Sequence, residues 1–164
     1  MTRAKGPAFV VPYRRRREGK TNFTKRLALI KSGQPRMVVR KSNCDVLVQF
    51  IHFDPKGDKT FVSVSGKQLA KEFKWPHARN TWTAYLVGFK AARMAKSKGV
   101  EKFVLDTGRY TPSKGSLMFA ALKGAADSGM KVDFDSEKVL EDKINNPPEK
   151  VKTVFQQIKK QLAG

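Results

Sequence analysis

Asp45-Val46-Leu47-Val48-Gln49-Phe50-Ile51-His52-Phe53 is the stretch that decides the fold, because its side chains alternate with a period of two. Val46, Val48 and Phe50 fall on one face of an extended chain, and Gln49 falls on the other. Such alternation is typical of a strand with one buried and one solvated face. We therefore predict a half-buried strand whose second face is open to a partner.

Two further apolar runs flank this strand. Arg36–Lys41 precedes it and Thr60–Ser65 follows it, and residues that favour turns separate each run from it. The two spacers are Ser42-Asn43-Cys44-Asp45 and Asp54-Pro55-Lys56-Gly57-Asp58. Short connections of this kind join antiparallel neighbours, so the three runs predict an antiparallel meander. Arg40 and Gln49 are expected on its polar face.

Helical periodicities and two more apolar runs surround the meander. The predicted helices run from Thr21 or Asn22 to Ile30, over Lys67–Phe73, from Asn80 or Thr81 to a cap at Gly99, and over Ser116–Ser128. Further strands are predicted at Lys102–Leu105 and Met130–Phe134. The order predicts an α/β fold, with a mixed sheet of the meander plus one or two further strands, packed with helices. The small residues of the 116–128 helix predict close packing on the sheet.

Two appendages flank this core. Residues 1–17 read as a basic N-terminal arm, extended over Met1–Pro12, and residues 18–135 as the α/β core. Residues 136–164 read as a helical extension, with one helix from Ser136 to about Ile144 and a second after Asn145-Asn146-Pro147-Pro148. An apolar stripe on the last helix predicts a docking face rather than a membrane anchor, and its partner is left open. The stripe consists of Val151, Val154, Phe155, Ile158 and Leu162.

Composition narrows the class of protein. Thirty-four Lys and Arg stand against 14 Asp and Glu in 164 residues, a formal charge of +20. Such a charge favours nucleic acid or an anionic membrane as partner. Hydrophobic residues make up 40% of the chain, enough for a folded core. The single Cys44 excludes an internal disulfide, and neither a membrane span nor a secretory signal is apparent. We expect a cytoplasmic protein without membrane contact.

Positive charge is concentrated near the start of the chain. Thirteen of the first 41 residues are Lys or Arg, and Glu18 is the single acid among them. Arg14 to Arg17 repel one another unless a polyanion neutralises them, and guanidinium groups donate paired hydrogen bonds to phosphate. Tyr13 and Phe23 flank the run with aromatic faces that can stack on a base or pack on the core. The alternative interpretation is a solvated or nuclear-import-like tail.

The loop Thr107–Ser116 has the features of an anion site. It lies between a predicted strand and a helix N-terminus, where free backbone N–H groups favour anions. Arg109 and Lys114 add charge, and Tyr110 adds a stacking face. Lys114 precedes Gly115, so the spacing of a nucleotide-binding P-loop is absent. We expect contact with a phosphate backbone, with a purely structural turn as the alternative.

Catalysis finds little support. His52 and His77 are isolated from other metal ligands, and Cys44 has no second thiol. Asp106 at a strand end raises the hypothesis of a metal-dependent nuclease, but such sites need several converging carboxylates. We therefore expect no enzyme activity, no metal and no cofactor.

Four motifs occur together in one order and carry a resemblance. They are Arg-Arg-Arg-Arg-Glu-Gly-Lys-Thr-Asn (Arg14–Asn22), Arg-Lys-Ser-Asn (Arg40–Asn43), Arg-Asn-Thr (Arg79–Thr81) and the segment Thr111–Ala125. From about Pro12 to Phe134 the chain resembles the archaeal form of the universal large-subunit ribosomal protein eighteen family. These are the 5S rRNA-binding proteins of the central protuberance. The resemblance implies a three-layer fold and contacts to 5S rRNA, to large-subunit (23S-type) rRNA and to the universal large-subunit ribosomal protein five. We also expect no homo-oligomer.

The motifs and the resemblance together give a set of predicted RNA-binding residues. The set is Tyr13, Arg14, Arg15, Arg16, Arg17, Lys20, Asn22, Lys25, Arg26, Arg40, Lys41, Ser42, Asn43, Gln49, Arg79, Asn80, Arg109, Tyr110, Thr111, Ser113, Lys114 and Gly115. Two departures from the family pattern stand out. Leu117 occupies a position that is usually basic, so one phosphate contact fewer is expected, and Asn145–Gly164 matches no family pattern.

Overall fold

The predicted meander forms the centre of the computed structural model, which describes residues 6–76, 78–132 and 134–163. Its strands are β1 (Arg36–Lys41), β2 (Val46–His52) and β3 (Lys59–Ser65), paired antiparallel. A fourth strand, β4 (Val104–Asp106), pairs parallel with β1. The strand order is β3-β2-β1-β4. The predicted α/β fold with a mixed sheet is confirmed.

Seven α-helices and one 3₁₀ turn accompany the sheet in the described residues. Asn22, Ser65 and Asn80 begin α2, α3 and α4, and the side chain of each accepts a hydrogen bond from a backbone N–H of the first turn. The helices are α1 (Arg14–Arg17), α2 (Phe23–Lys31), α3 (Gly66–Phe73), α4 (Thr81–Lys96), α5 (Leu117–Asp127), α6 (Glu141–Asn145) and α7 (Glu149–Ala163), and the 3₁₀ turn is Ser136–Lys138.

The core lies between one face of the sheet and the helices α4 and α5. Val46, Val48 and Phe50 of β2 are fully buried there, as their alternation predicts. The closest helix packing is between α4 and α5, since a Cβ on Gly88 would collide with the backbone of Ala121 and one on Gly124 with that of Tyr85. The small residues of α5 therefore allow close approach to α4. The sequence pattern predicts that they pack closely on the sheet instead.

Two predicted elements differ in the structure. Met130–Phe134 forms no strand in its described residues, and Lys131 makes a single bridge to Lys102. Lys102 lies outside β4, so this bridge adds no fifth strand to the sheet. The helix predicted from Ser136 to about Ile144 is split into the 3₁₀ turn and α6. Val139 and Ile144 are both buried, and five residues of continuous helix would point them about 140° apart.

The C-terminal helix α7 packs against the core. Phe155 and Ile158 of its apolar stripe are buried. The ring of Phe155 lies 5.7 Å from that of Tyr85 and 6.1 Å from that of Trp75, measured between centroids. The partner left open by the sequence is thus the chain's own core. Within the described residues, no helix combines the length and apolarity that crossing a membrane requires.

Candidate nucleic-acid interface

The second face of the sheet borders an open, basic pocket. Arg40 and Gln49, which alternate with buried residues, line one side together with the buried Val38, and residues of α1, α2 and the connection between them line the other. The pocket has a volume of about 250 Å³. Asp58 and Asp106 are its acidic lining residues. Its basic lining residues are Arg15, Lys20, Lys25, Arg26, Arg36, Arg40 and Arg109.

The arginine run forms the single helical turn α1. Arg16 N and Arg17 N donate hydrogen bonds to the carbonyl of Tyr13, and no residue of the turn is buried. Side chains on a helix lie about 100° apart, so four in succession project around the whole turn. The turn therefore presents guanidinium groups in several directions, as suits a partner that wraps around it.

Polar contacts hold α2 to the rest of the chain. Arg26 Nη2 donates to both carboxylate oxygens of Asp58 at 3.0 Å, and Lys25 Nζ donates to Thr107 Oγ1 at 2.8 Å. No residue of α2 is buried, and its Phe23 and Leu27 are exposed. The sequence predicts Phe23, Leu27 and Ile30 as one apolar face, but the structure leaves the first two uncovered because ionic contacts position the helix.

Arg36 is a buried residue of this region that the sequence did not single out. Its guanidinium is 5% exposed and pairs with Asp58 at 2.5 Å and with Asp106 at 2.9 Å. Asp106 Oδ1 also accepts a hydrogen bond from Gly108 N. The cluster joins β1, the β2–β3 connection and the loop after β4. Its one sequence signal is an arginine at the start of an apolar strand.

The loop after β4 meets both the Arg14–Asn22 motif and the end of β1. Arg109 lies against Gly19, whose φ of +65° and lack of a Cβ leave room for the guanidinium. The hydroxyl of Tyr110 donates to the carbonyl of Lys41 at 3.1 Å, and Lys41 Nζ lies 4.8 Å from the centre of the Tyr110 ring. These contacts bring three predicted segments to one surface.

The N-terminus of α5 is less accessible than its sequence suggests. Gly115 N donates to the carbonyl of Lys138 at 2.9 Å, and Leu140 lies directly over Gly115. Ser116 makes no side-chain cap, and its hydroxyl is buried without a hydrogen-bond partner among the described residues. Because the C-terminal segment covers this end, the loop offers an anion chiefly its side chains. Thr111, Ser113 and Lys114 are exposed.

Several predicted residues make contacts within the protein. Asn22 and Asn80 cap α2 and α4, which gives both side chains a structural role. Arg79 Nη1 donates to the carbonyl of Ser42 at 3.3 Å, and Gln49 Nε2 donates to Ser63 Oγ at 3.3 Å. Asn43 is exposed in the β1–β2 turn.

The residues considered for catalysis do not form a cluster in the part of the chain described. There, no group of three or more His, Cys, Asp or Glu side chains could hold a metal ion. His52 and Cys44 are exposed, and His77 lies outside the described residues. Asp106, on which the nuclease hypothesis depends, is an ion-pair partner of Arg36.

Comparison with known proteins identifies the family. A model of the ribosomal large-subunit proteins 60S L5 and 50S L18 matches residues 7–103, more than half of the chain. Large ribosomal subunit protein uL18 of Aeropyrum pernix is 47% identical over 137 residues, which cover 83% of this chain and 64% of that protein. The uL18 protein of Korarchaeum cryptofilum is 46% identical over 135 residues, covering 82% of this chain and 69% of that protein.

These matches confirm the resemblance predicted from the four motifs. The chain spans about two thirds of the length of these relatives, both of which are archaeal. Large-subunit ribosomal proteins are cytoplasmic structural proteins and not a class of enzymes. This chain belongs to the family of ribosomal large-subunit proteins that includes 60S L5 and 50S L18.

Proposed function

We propose that this chain is a structural constituent of the large ribosomal subunit that binds 5S rRNA and helps attach it to the 23S-type rRNA in the central protuberance, without catalysis. The observation that carries the proposal is the convergence of α1, α2, β1 and the loop after β4 on one basic pocket. The cations of the pocket come from positions as far apart in the sequence as Arg15 and Arg109. The site therefore depends on the folded chain as well as on the basic arm.

Charge neutralisation supplies the affinity. The α1 arginines, Lys20 and Lys114 are exposed, so phosphates can reach them, although Lys20 also pairs with Glu18 at 2.8 Å. Arg40 and Arg109 have no carboxylate partner in the part of the chain described, so their charge is available to RNA. Phosphate contacts position the protein on its RNA and carry little sequence information.

Selectivity comes from a pre-organised surface. Ion pairs of Asp58 with Arg26 and Arg36 hold α2 and β1 together before RNA arrives. A surface held in its binding shape loses less conformational entropy on association. Folded RNA is recognised by its shape, its backbone and its unstacked bases, and the fixed arrangement of the pocket and Tyr110 suits that mode. The predicted contact with the universal large-subunit ribosomal protein five completes the proposal and is carried by the family resemblance.

A binding titration over a salt series tests the proposal. Purified full-length protein is titrated with cognate 5S rRNA and with a control RNA of equal length. Affinity for both falls with salt, with a slope of about 0.7 to 0.9 per neutralised phosphate, taking the calibration for DNA. The proposal requires 5S rRNA to stay bound at a salt concentration that releases the control. Simultaneous release would leave only a non-specific polyanion binder.

A pair of matched variants locates the interface. Lys114→Ala removes an exposed lysine from the loop, and Lys160→Ala removes an exposed lysine from α7 on the other side of the core. We expect Lys114→Ala to weaken 5S rRNA binding and lower the salt slope by slightly less than one, and Lys160→Ala to leave both unchanged. Equal effects of the two variants would contradict the assignment of the interface.

A further inference from the structure

Exposed apolar side chains are concentrated in the segment that also carries the arginine run. Nine large hydrophobic side chains of the described residues are exposed, and six of them lie between positions 9 and 27. The six are Phe9, Val10, Val11, Tyr13, Phe23 and Leu27. Large apolar groups gathered in one exposed segment indicate a surface that a partner covers.

Tyr13 and Phe23 form the aromatic centre of this patch. Their ring centroids lie 5.9 Å apart with the planes inclined at 49°. Tyr13 is 80% exposed and Phe23 is 38% exposed, so Phe23 supports one side of the Tyr13 ring and leaves most of that ring open. Hydrogen bonds from Arg16 N and Arg17 N to the Tyr13 carbonyl fix the backbone at this point.

The surrounding charge identifies the occupant. Arg14 to Arg17 follow Tyr13 directly, and all four are exposed. A purely apolar partner that covered this patch would remove water from the neighbouring guanidinium groups without supplying negative charges to replace it, which is unfavourable. A single-stranded nucleic acid satisfies both requirements, because its phosphates pair with guanidinium groups and each unpaired base has a flat apolar face that stacks on aromatic rings.

We propose that Tyr13, supported by Phe23, is a stacking site for one unpaired nucleobase of the bound RNA. This inference deepens the proposed function and rests on it for the identity of the natural ligand. The arginines that follow then hold the phosphates on either side of the stacked base. Base stacking at this site contributes affinity that does not depend on charge, whereas the neighbouring arginine–phosphate contacts contribute affinity that does.

Short RNA probes test the stacking site with the full-length protein. The probes are a 12-nucleotide single-stranded oligoadenylate and a 12-base-pair RNA duplex, whose bases are already stacked. We expect Tyr13→Ala to weaken binding of the single strand about 5- to 150-fold, the range for loss of one base stacked on an aromatic ring. Binding of the duplex should change less than twofold. The salt slope should stay unchanged, since no cation is removed.

Three further variants separate stacking from simple apolar contact. Tyr13→Phe keeps an aromatic face and should bind the single strand within twofold of the unaltered protein. Tyr13→Leu keeps an apolar side chain without a ring face and should lose nearly as much as Tyr13→Ala. Met94→Ala, an exposed apolar residue of α4, is the matched control and should have no effect.

The outcomes also distinguish this inference from the proposed function. Unchanged binding of the single strand by Tyr13→Ala overturns the stacking site and favours a protein partner for the patch. Equal weakening of the duplex, or full rescue by Tyr13→Leu, also overturns it, because the side chain would then contribute to RNA binding in some way other than by stacking on an unpaired base. Such a result would leave a preference for 5S rRNA intact. Conversely, loss of stacking in Tyr13→Ala alongside equal release of 5S and control RNA would support the site and refute the ribosomal ligand.

Discussion

At the scale of single residues, burial divides the arginines into two groups with different roles. The side chain of Arg14 is 76% exposed, and its ion pair with Glu18 is long, at 3.8 Å. The guanidinium of Arg36 is 5% exposed and lies between two carboxylates. An exposed ion pair contributes little to stability, whereas a buried charge requires its partners. The exposed group is the one proposed to contact RNA, and the buried one stabilises the fold.

Arg36→Met should strongly destabilise the protein. The substitution leaves Asp106 buried without its cation and removes one of the two cations of Asp58. Breaking a buried pair from one side costs about 3 to 5 kcal/mol of unfolding free energy. Urea unfolding measures the loss. Arg14→Met is the control and should stay within about 0.5 kcal/mol of the unaltered protein. A loss below about 1 kcal/mol for Arg36→Met would mean that the cluster is not structural.

Tyr85 should make stability fall at alkaline pH. Its ring is buried beneath α7, and its hydroxyl donates to Asp127 Oδ2 at 2.7 Å. Burial, together with the neighbouring Asp127 carboxylate, raises the pKa of the Tyr85 hydroxyl. The unfolded chain then ionises first, near pH 10, so folding loses free energy as pH rises above that value.

Comparison with Tyr85→Phe isolates this effect from other titrating groups. Below pH 9 the variant should be less stable by about 1 kcal/mol, because it lacks the hydrogen bond to Asp127. Above about pH 10 the unaltered protein should lose up to about 1.4 kcal/mol per pH unit relative to the variant. Unfolding free energies from pH 8 to 11 provide the measurement. Parallel pH curves for the two proteins would contradict the raised pKa.

At the scale of elements, the C-terminal segment determines what the loop after β4 can offer a ligand. The loop and α5 have the sequence pattern of an anion site, yet Lys138 and Leu140 cover the helix end at Gly115. Lys123 of α5 also pairs with Glu141 of α6 at 2.8 Å, which raises the pKa of the Lys123 amine. The C-terminal segment therefore packs against the loop and the start of α5, and the side chains of the loop that remain exposed face outward.

Gly115→Ala should disturb this support. Gly115 has a φ of +70°, and a Cβ there would collide with Leu140. Gly33 is the matched control, since it has a φ of +67° and nothing within 4 Å of the added Cβ. We expect Gly33→Ala to cost about 1 to 2 kcal/mol for the left-handed backbone, and Gly115→Ala about 1 kcal/mol more for the clash.

Thermal and urea unfolding of the two variants measure the difference. Adding Leu140→Ala to Gly115→Ala should remove the extra cost, because neighbouring substitutions couple through their shared contact. Equal destabilisation by Gly33→Ala and Gly115→Ala would show that the Leu140 side chain moves away from the added Cβ without loss of stability.

At the scale of the whole molecule, the sheet separates a packing side from the side that is proposed to bind RNA. Its inner face packs against α4 and α5. Helix α7 packs in turn on α4 and on Trp75, which follows α3. Its outer face borders the basic pocket and the arm. The apolar core therefore lies on one side of the sheet and the exposed cations lie on the other, whereas the Arg36 cluster both lines the pocket and stabilises the fold.

Deletion of residues 1–17 should weaken RNA binding and leave the fold intact. Residues 6–17, the part of the arm that the structure describes, are all exposed. The deletion removes six Lys and Arg, so the salt slope for 5S rRNA should fall by up to about 4 to 5. The melting temperature without RNA should change by no more than about 2 °C. A large fall in melting temperature would show that the arm stabilises the core.

The sequence alone determined most of the local elements and predicted a polyanionic partner. The meander, the caps at Asn22 and Asn80 and the charge of the arm all follow from residues within a few positions of one another. The candidate stacking pair Tyr13 and Phe23 was visible for the same reason.

Only the tertiary structure decided which charged and apolar groups remain available to a ligand. Arg36 meets Asp106 across 70 positions, Lys25 meets Thr107 across 82, and Phe155 covers Tyr85 across a similar separation. Such contacts depend on how the elements pack and leave no periodic signal in the sequence. Burial in the folded chain makes Arg36 structural and leaves Arg14 to Arg17 exposed, although both belong to the same basic segment.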